Sequence, residues 1–237
     1  MKYFFLIVLS FVSTLVIAGP DEILKADLHD SAKKGQKSFS YDGARVKLFK
    51  EIHLEKDVKG YFVHGVYCQK KYYLAPNEVS GDRLPNSDVF NTEHTWPQSK
   101  FTNRYHKNIQ KTDLHHLFPT YSRINSERGN FPFGEVDSER KVSCEESQSG
   151  KALSTGKGTY FEPPTIHKGN VARAMFYFSV RYQIEIDPIQ EEYFRVWHRE
   201  DPVDAAERAR NEKIAELQGN RNPFIDNPEF VDQISDF

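Results

Sequence analysis

Between residues 171 and 199 apolar side chains recur at helical spacing twice in succession, ahead of a third segment with helix start and stop signals, and this pattern limits the possible folds more than any other feature. Val171, Met175, Phe178 and Tyr182 mark a helix over 171–185. Ile189, Tyr193, Val196 and Trp197 mark a second over 188–199, and a third over 202–218 has Asp201 as its N-cap and Gly219 as its stop. Strand-like patterning is confined to the first half: 61–68 is rich in Tyr, Phe and Val, and 88–94 is a shorter candidate. Ala44, Leu48 and Ile52 place an amphipathic helix over 42–53. A short helix is expected over 119–128, with Pro119 in its first turn, Leu117, Tyr121 and Ile124 on one face, and Gly129 ending it. The stretches 74–87, 99–112 and 135–164 read as loops. The expected fold class is α+β: one domain with a few short strands early and several helices late.

Residues 1–18 are of another kind. Lys2 precedes an almost entirely apolar run over 3–17, and small residues stand before Gly19, as in a cleaved secretory signal. The run is shorter than the roughly 20 residues of a membrane span, no second apolar stretch follows, and no Cys follows Ala18. The expectation is a secreted or periplasmic chain with one domain over 19–237 and no membrane anchor. In such a chain the pair Cys68 and Cys144 is expected as a disulfide. Closing that loop would stabilise by roughly 4 kcal/mol through chain entropy.

The formal net charge of −2 hides an asymmetry. Six Lys or Arg between Lys100 and Arg128 face only Asp113 and Glu127, whereas 183–237 carries six basic and fourteen acidic residues. Charge alone fits either two solvated surfaces of opposite sign or a local site for an anionic ligand.

The chemistry-bearing residues cluster in the basic half. Glu93-His94 sets a carboxylate beside an imidazole, although on a regular strand the two would point to opposite faces and share a site only at a strand end or bulge. Downstream, Asp113-Leu114-His115-His116-Leu117-Phe118-Pro119 leads to Asn125-Ser126-Glu127-Arg128-Gly129-Asn130. An Asn carbonyl oxygen is a hard, neutral ligand suited to Mg²⁺. Packed against the end of the Glu-His strand, a helix bearing Asn125 would gather carboxylate, amide oxygen and imidazole around one ion.

These segments, with Phe161-Glu162-Pro163-Pro164, Gly169-Asn170-Val171-Ala172-Arg173-Ala174 and Gln218-Gly219-Asn220-Arg221-Asn222-Pro223-Phe224, occur in the order of the bacterial endonuclease I family. The chain resembles those secreted and periplasmic nucleases from about residue 40 to 226. The resemblance implies a ββα-metal, or His-Me, finger. Glu93 and Asn125 would be ligands of a Mg²⁺ ion that Mn²⁺ or Ca²⁺ can replace, and His94 the general base. Asp113 and His115 match positions near the site, in orienting or structural roles. Family members hold the phosphate with an Arg in the segment after the Glu-His pair. That segment is shorter here, so Arg104 and Arg128 compete for the part. The resemblance further implies a monomer that cuts nucleic acid with little sequence preference, leaving 5′-phosphate and 3′-hydroxyl ends. No feature reads a 2′-hydroxyl, so DNA and RNA both stand as substrates.

Two rival functions differ in class. A non-catalytic secreted module would bind polyanions through residues 100–128 and survive loss of Glu93 and His94. A zinc hydrolase is disfavoured, because no His-Glu-x-x-His spacing occurs among the nine His and His115-His116 are adjacent.

Overall fold

The computed structural model describes residues 19–80, 83–137, 140 and 142–237; the expected leader over 1–18 lies outside the described residues. Helix α1 (Pro20–Lys33) opens with Pro at its start and Asp21 and Glu22 in its first turn. The apolar pattern did not announce it. Helix α2 (Tyr41–Val46) is capped by Ser40, whose Oγ accepts the Gly43 N–H at 3.1 Å, and continues through wider π-helical turns to Ile52. Three antiparallel strands follow, β1 (Glu55–Asp57), β2 (Gly60–Gly65) and β3 (Lys70–Tyr73), then the short helix α3 (Pro76–Val79).

Strand β4 (Phe90–His94) pairs antiparallel with β5 (Leu117–Tyr121), setting Glu93 opposite Phe118 and His94 opposite Leu117. Between them lies helix α4 (Lys107–Lys111), and directly after β5 comes helix α5 (Ser122–Arg128). This corrects the expected helix over 119–128: residues 119–121 are strand, and Pro119 lies within β5, where its carbonyl accepts the Val66 N–H at 2.9 Å. The spacing could not distinguish the two, because Leu117 and Tyr121, four apart, share a face in a helix and in a strand alike. Gly129 ends α5 at φ +57°, a conformation that costs a side-chain-bearing residue. The β4–β5–α5 unit is the ββα arrangement that the resemblance implied.

The expected loop over 135–164 holds one more hairpin, β6 (Gln148–Gly150) with β7 (Tyr160–Glu162). Helix α6 (Thr165–Tyr182) is buried around nearly its whole circumference from Val171 to Tyr182, so it forms the centre rather than a surface layer. Helices α7 (Pro188–Glu200) and α8 (Ala205–Gln218) follow; the cap of α8 is Asp204, not Asp201, its carboxylate accepting Glu207 N–H at 2.7 Å. The short helices α9 (Pro223–Asp226) and α10 (Phe230–Gln233) close the chain. One apolar core surrounds α6 and includes Trp96, Ile124 and Phe161; a second joins Leu48, Phe49, Val63, Phe90, Leu117 and Ile214. No helix among the described residues is long and apolar enough to cross a membrane. Cys68 and Cys144 are joined, with Cα atoms 5.0 Å apart, which fastens the turn after β2 to the segment before β6.

The interior is rich in neutral imidazole. Burial pushes His115 and His116 down to about 4 and His167 to about 3. Each has one ring nitrogen without a partner, and the charge of Arg210 opposes protonation of all three. In the unfolded chain these rings take up a proton near about 6.5. Below that pH the unfolded state binds more protons, so stability present above about 6.5 is lost as pH falls toward 4, on the order of a few kcal/mol per ring. Urea midpoints should therefore drop between about pH 7 and pH 5. Constant midpoints over that interval would contradict the burial of neutral rings.

Candidate active site

His94 is the last residue of β4, and the strand end resolves the facing problem of the Glu-His pair: both side chains line one cleft of about 300 Å³, together with Tyr41, Asn91, Asn125 and Arg128. The His94 ring stacks on Tyr41 at 5.9 Å between centroids and meets His116 edge-on at 5.4 Å. Its Nε2 lies 3.0 Å from the Lys111 carbonyl oxygen. A carbonyl only accepts, so Nε2 carries the proton and Nδ1 is left with a lone pair. The Gln98 amide, 3.3 Å away, donates to that lone pair. Burial holds the imidazole well below its ordinary pKa, with the charges of Lys111 and Arg128 acting in the same direction. The ring is therefore a neutral, oriented proton acceptor.

Glu93 is 1% exposed. Its Oε1 accepts the Tyr67 hydroxyl at 2.8 Å and pairs with Arg128 Nη1 at 3.2 Å. Burial raises the carboxyl pKa, and Arg128 and Tyr67 oppose that rise. Arg128 sits one helical turn after Asn125, so α5 turns both toward β4. Its guanidinium also donates to the carbonyls of His94 (3.4 Å), Thr95 (2.8 Å) and Gly129 (3.2 Å). It thus locks β4 to α5. Asn125 Nδ2 donates to the Thr92 carbonyl at 3.2 Å, which fixes the amide orientation and leaves Oδ1 for another partner. The His94 backbone N–H also favours the ionised form of the Glu93 carboxylate.

The other sequence candidates lie elsewhere. Arg104 donates to Gln183 Oε1 at 2.9 Å and lines a separate cavity with Lys25 and His29. Asp113 accepts from Tyr177 (2.9 Å), Tyr182 (2.8 Å), Gln36 (2.9 Å) and Gln218 (2.8 Å), tying α6 and α8 to the turn before β5. His115 packs on Tyr177, and its Nε2 lies 3.1 Å from the Asn220 carbonyl oxygen. Gln218 and Asn220, on either side of Gly219, both belong to this polar hub. Sequence reasoning missed Tyr67, Gln98 and the Lys111 carbonyl. Gln98 stands four residues after His94, a nearness that could have pointed to it; nothing marked Tyr67, which reads as an ordinary strand aromatic.

A charged and a neutral oxygen on one cleft wall fit a hard cation that keeps several waters, such as Mg²⁺. Among the described residues no group of three or more His, Cys, Asp or Glu is placed to hold a metal, so the nitrogen- and sulfur-rich shell that zinc prefers is not built.

The chain belongs to the endonuclease I family, whose profile matches residues 21–229. It is 34% identical over 186 residues to an extracellular ribonuclease of Bacillus subtilis (strain 168), covering 68% of this chain and 60% of the relative. It is also 34% identical over 122 residues to an extracellular deoxyribonuclease of Aeromonas hydrophila, half of each chain. To an endonuclease-1 of Buchnera aphidicola subsp. Baizongia pistaciae it is 30% identical over 163 residues, covering 65% of this chain and 66% of the relative. The chain thus spans about half to two thirds of these relatives' lengths.

Proposed function

We propose that the protein is a secreted or periplasmic, metal-dependent endonuclease that hydrolyses phosphodiester bonds with little sequence preference. The observation that carries this reading is the His94 ring: its proton is fixed on Nε2 by a backbone carbonyl, which leaves a basic Nδ1, and His94 lines the same cleft as Glu93 and Asn125. His94 Nδ1 takes the proton of the attacking water, for which Gln98 must yield its hydrogen bond. Glu93 and Asn125 would hold Mg²⁺, with Mn²⁺ or Ca²⁺ as substitutes, and such an ion would supply neutralisation of the charge that develops on the phosphodiester. Arg128 keeps Glu93 ionised and in place rather than gripping the phosphate, since both its Nη donors are engaged and its Nε is buried. Such a site yields 5′-phosphate and 3′-hydroxyl ends. Relatives named as ribonuclease and as deoxyribonuclease support the cutting of both nucleic acids.

The test is supercoiled plasmid and a structured RNA, each incubated with Mg²⁺ or with chelator. Cleavage only with metal supports the proposal. Binding without cleavage in either condition supports the polyanion-binding rival. Asn125→Ala should raise the Mg²⁺ concentration for half activity about tenfold or more while the fold survives, as loss of one neutral oxygen ligand implies. An unchanged metal titration removes Asn125 from the site.

A further inference from the structure

Neither arginine suggested by the sequence is free to hold a substrate phosphate beside His94. Arg128 is 2% exposed and engaged by Glu93 and three carbonyls; Arg104 is held by Gln183 at another cavity. Lys111 is placed differently. As the last residue of α4 it gives its carbonyl to His94 Nε2, while its ammonium stands 4.0 Å from the centre of the Tyr41 ring. That ring in turn stacks on His94 and lines the cleft. The ammonium and the imidazole therefore both meet the one Tyr41 ring. Lys111 is partly exposed, and among the described residues neither a carboxylate nor a hydrogen-bond acceptor meets its ammonium.

We propose that Lys111 is the cation that binds a backbone phosphate of the substrate next to His94, with Tyr41 as the spacer that sets the separation of ammonium and imidazole. The inference rests on the nuclease reading of the same cleft. A lysine suits the task as a flexible point charge, able to leave the Tyr41 face for a phosphate at small cost. Its carbonyl fixes the base and its side chain receives the strand, so one residue places both partners of the reaction. Tyr41 keeps the ammonium from crowding the imidazole directly.

The experiment compares Lys111→Met and Lys111→Arg with the wild-type chain. Binding of a short fluorescent DNA duplex is measured in chelator across salt concentrations, and single-turnover cleavage is measured with Mg²⁺. Lys111→Met should weaken binding and slow cleavage at low substrate about ten- to hundredfold, the scale of one charge-assisted hydrogen bond. It should also lower the log–log salt slope by about 0.9, the signature of one lost phosphate contact. Lys111→Arg should restore the slope, and the thermal midpoint of both variants should stay at the wild-type value. An unchanged slope with unchanged cleavage overturns the proposal, as does slower cleavage with an unchanged slope and a lowered midpoint, which marks a structural role at the end of α4. If the wild-type chain fails to cut in Mg²⁺, the nuclease reading falls, while the binding slope still reports on Lys111.

Discussion

His94→Ala should cut nucleic acid about 10² to 10⁴ times more slowly than the wild-type chain in single-turnover assays, the usual contribution of a positioned general base. Binding should persist, because Glu93, Asn125 and the basic residues of 100–128 are untouched. The imidazole packs on Tyr41 and His116, so its removal leaves a gap beside two rings. His94→Gln, which fills more of that space, separates packing from proton transfer: both variants should be slow if Nδ1 is the base. Near-normal cleavage by either would sink the assignment. Loss of binding together with cleavage would place His94 in the scaffold instead.

Arg128→Met should destabilise the fold by about 3–5 kcal/mol, as expected when one partner of a buried ion pair is removed and the other is left charged. Both side chains are about 2% exposed, and the arginine also satisfies carbonyls at the end of β4 and at Gly129. Glu93, deprived of its cation, would keep a carboxyl whose pKa burial already raises, and would be protonated over a wider pH range. Chemical denaturation measures the first effect. Adding Glu93→Gln to Arg128→Met should recover part of the loss, because the stranded charge is then gone. A loss below about 1 kcal/mol for Arg128→Met would reduce the pair to the standing of a surface salt bridge.

What the sequence disclosed follows from the kind of information each element carries. The late helices were legible because apolar residues at 3.6 spacing bury one face, and α7 and α8 begin and end within a few residues of their expected bounds. Strand β5 was not, since a four-residue spacing is common to both periodicities and a proline argued for a helix start. Glu93, His94 and Asn125 were recognisable as a motif, and the strand end that lets the first two share a cleft was anticipated as a condition. Asp113 and His115 show the reverse. Their presence in a motif was plain, yet only the fold reveals that Asp113 gathers Tyr177, Tyr182, Gln36 and Gln218. Tyr67 was hidden because its contact with Glu93 joins residues 26 positions apart, and no local pattern encodes such a pairing.

The ββα unit also bears on how far this site could be transplanted. Glu93, His94, Lys111, Asn125 and Arg128 all fall within residues 90–128, a single uninterrupted stretch that another scaffold could receive as one insert. Only part of the support for Glu93 travels with it: Arg128 does, and the Tyr67 hydroxyl does not. Tyr67 comes from an earlier turn; its own carbonyl accepts Ser147 Oγ–H at 2.8 Å, and the adjacent Cys68 is tied to Cys144. A graft of 90–128 alone would carry every reactive group and lose the clamp that aims the carboxylate. A recipient would have to rebuild a hydroxyl donor opposite Glu93 before the insert became more than a hairpin with the right letters.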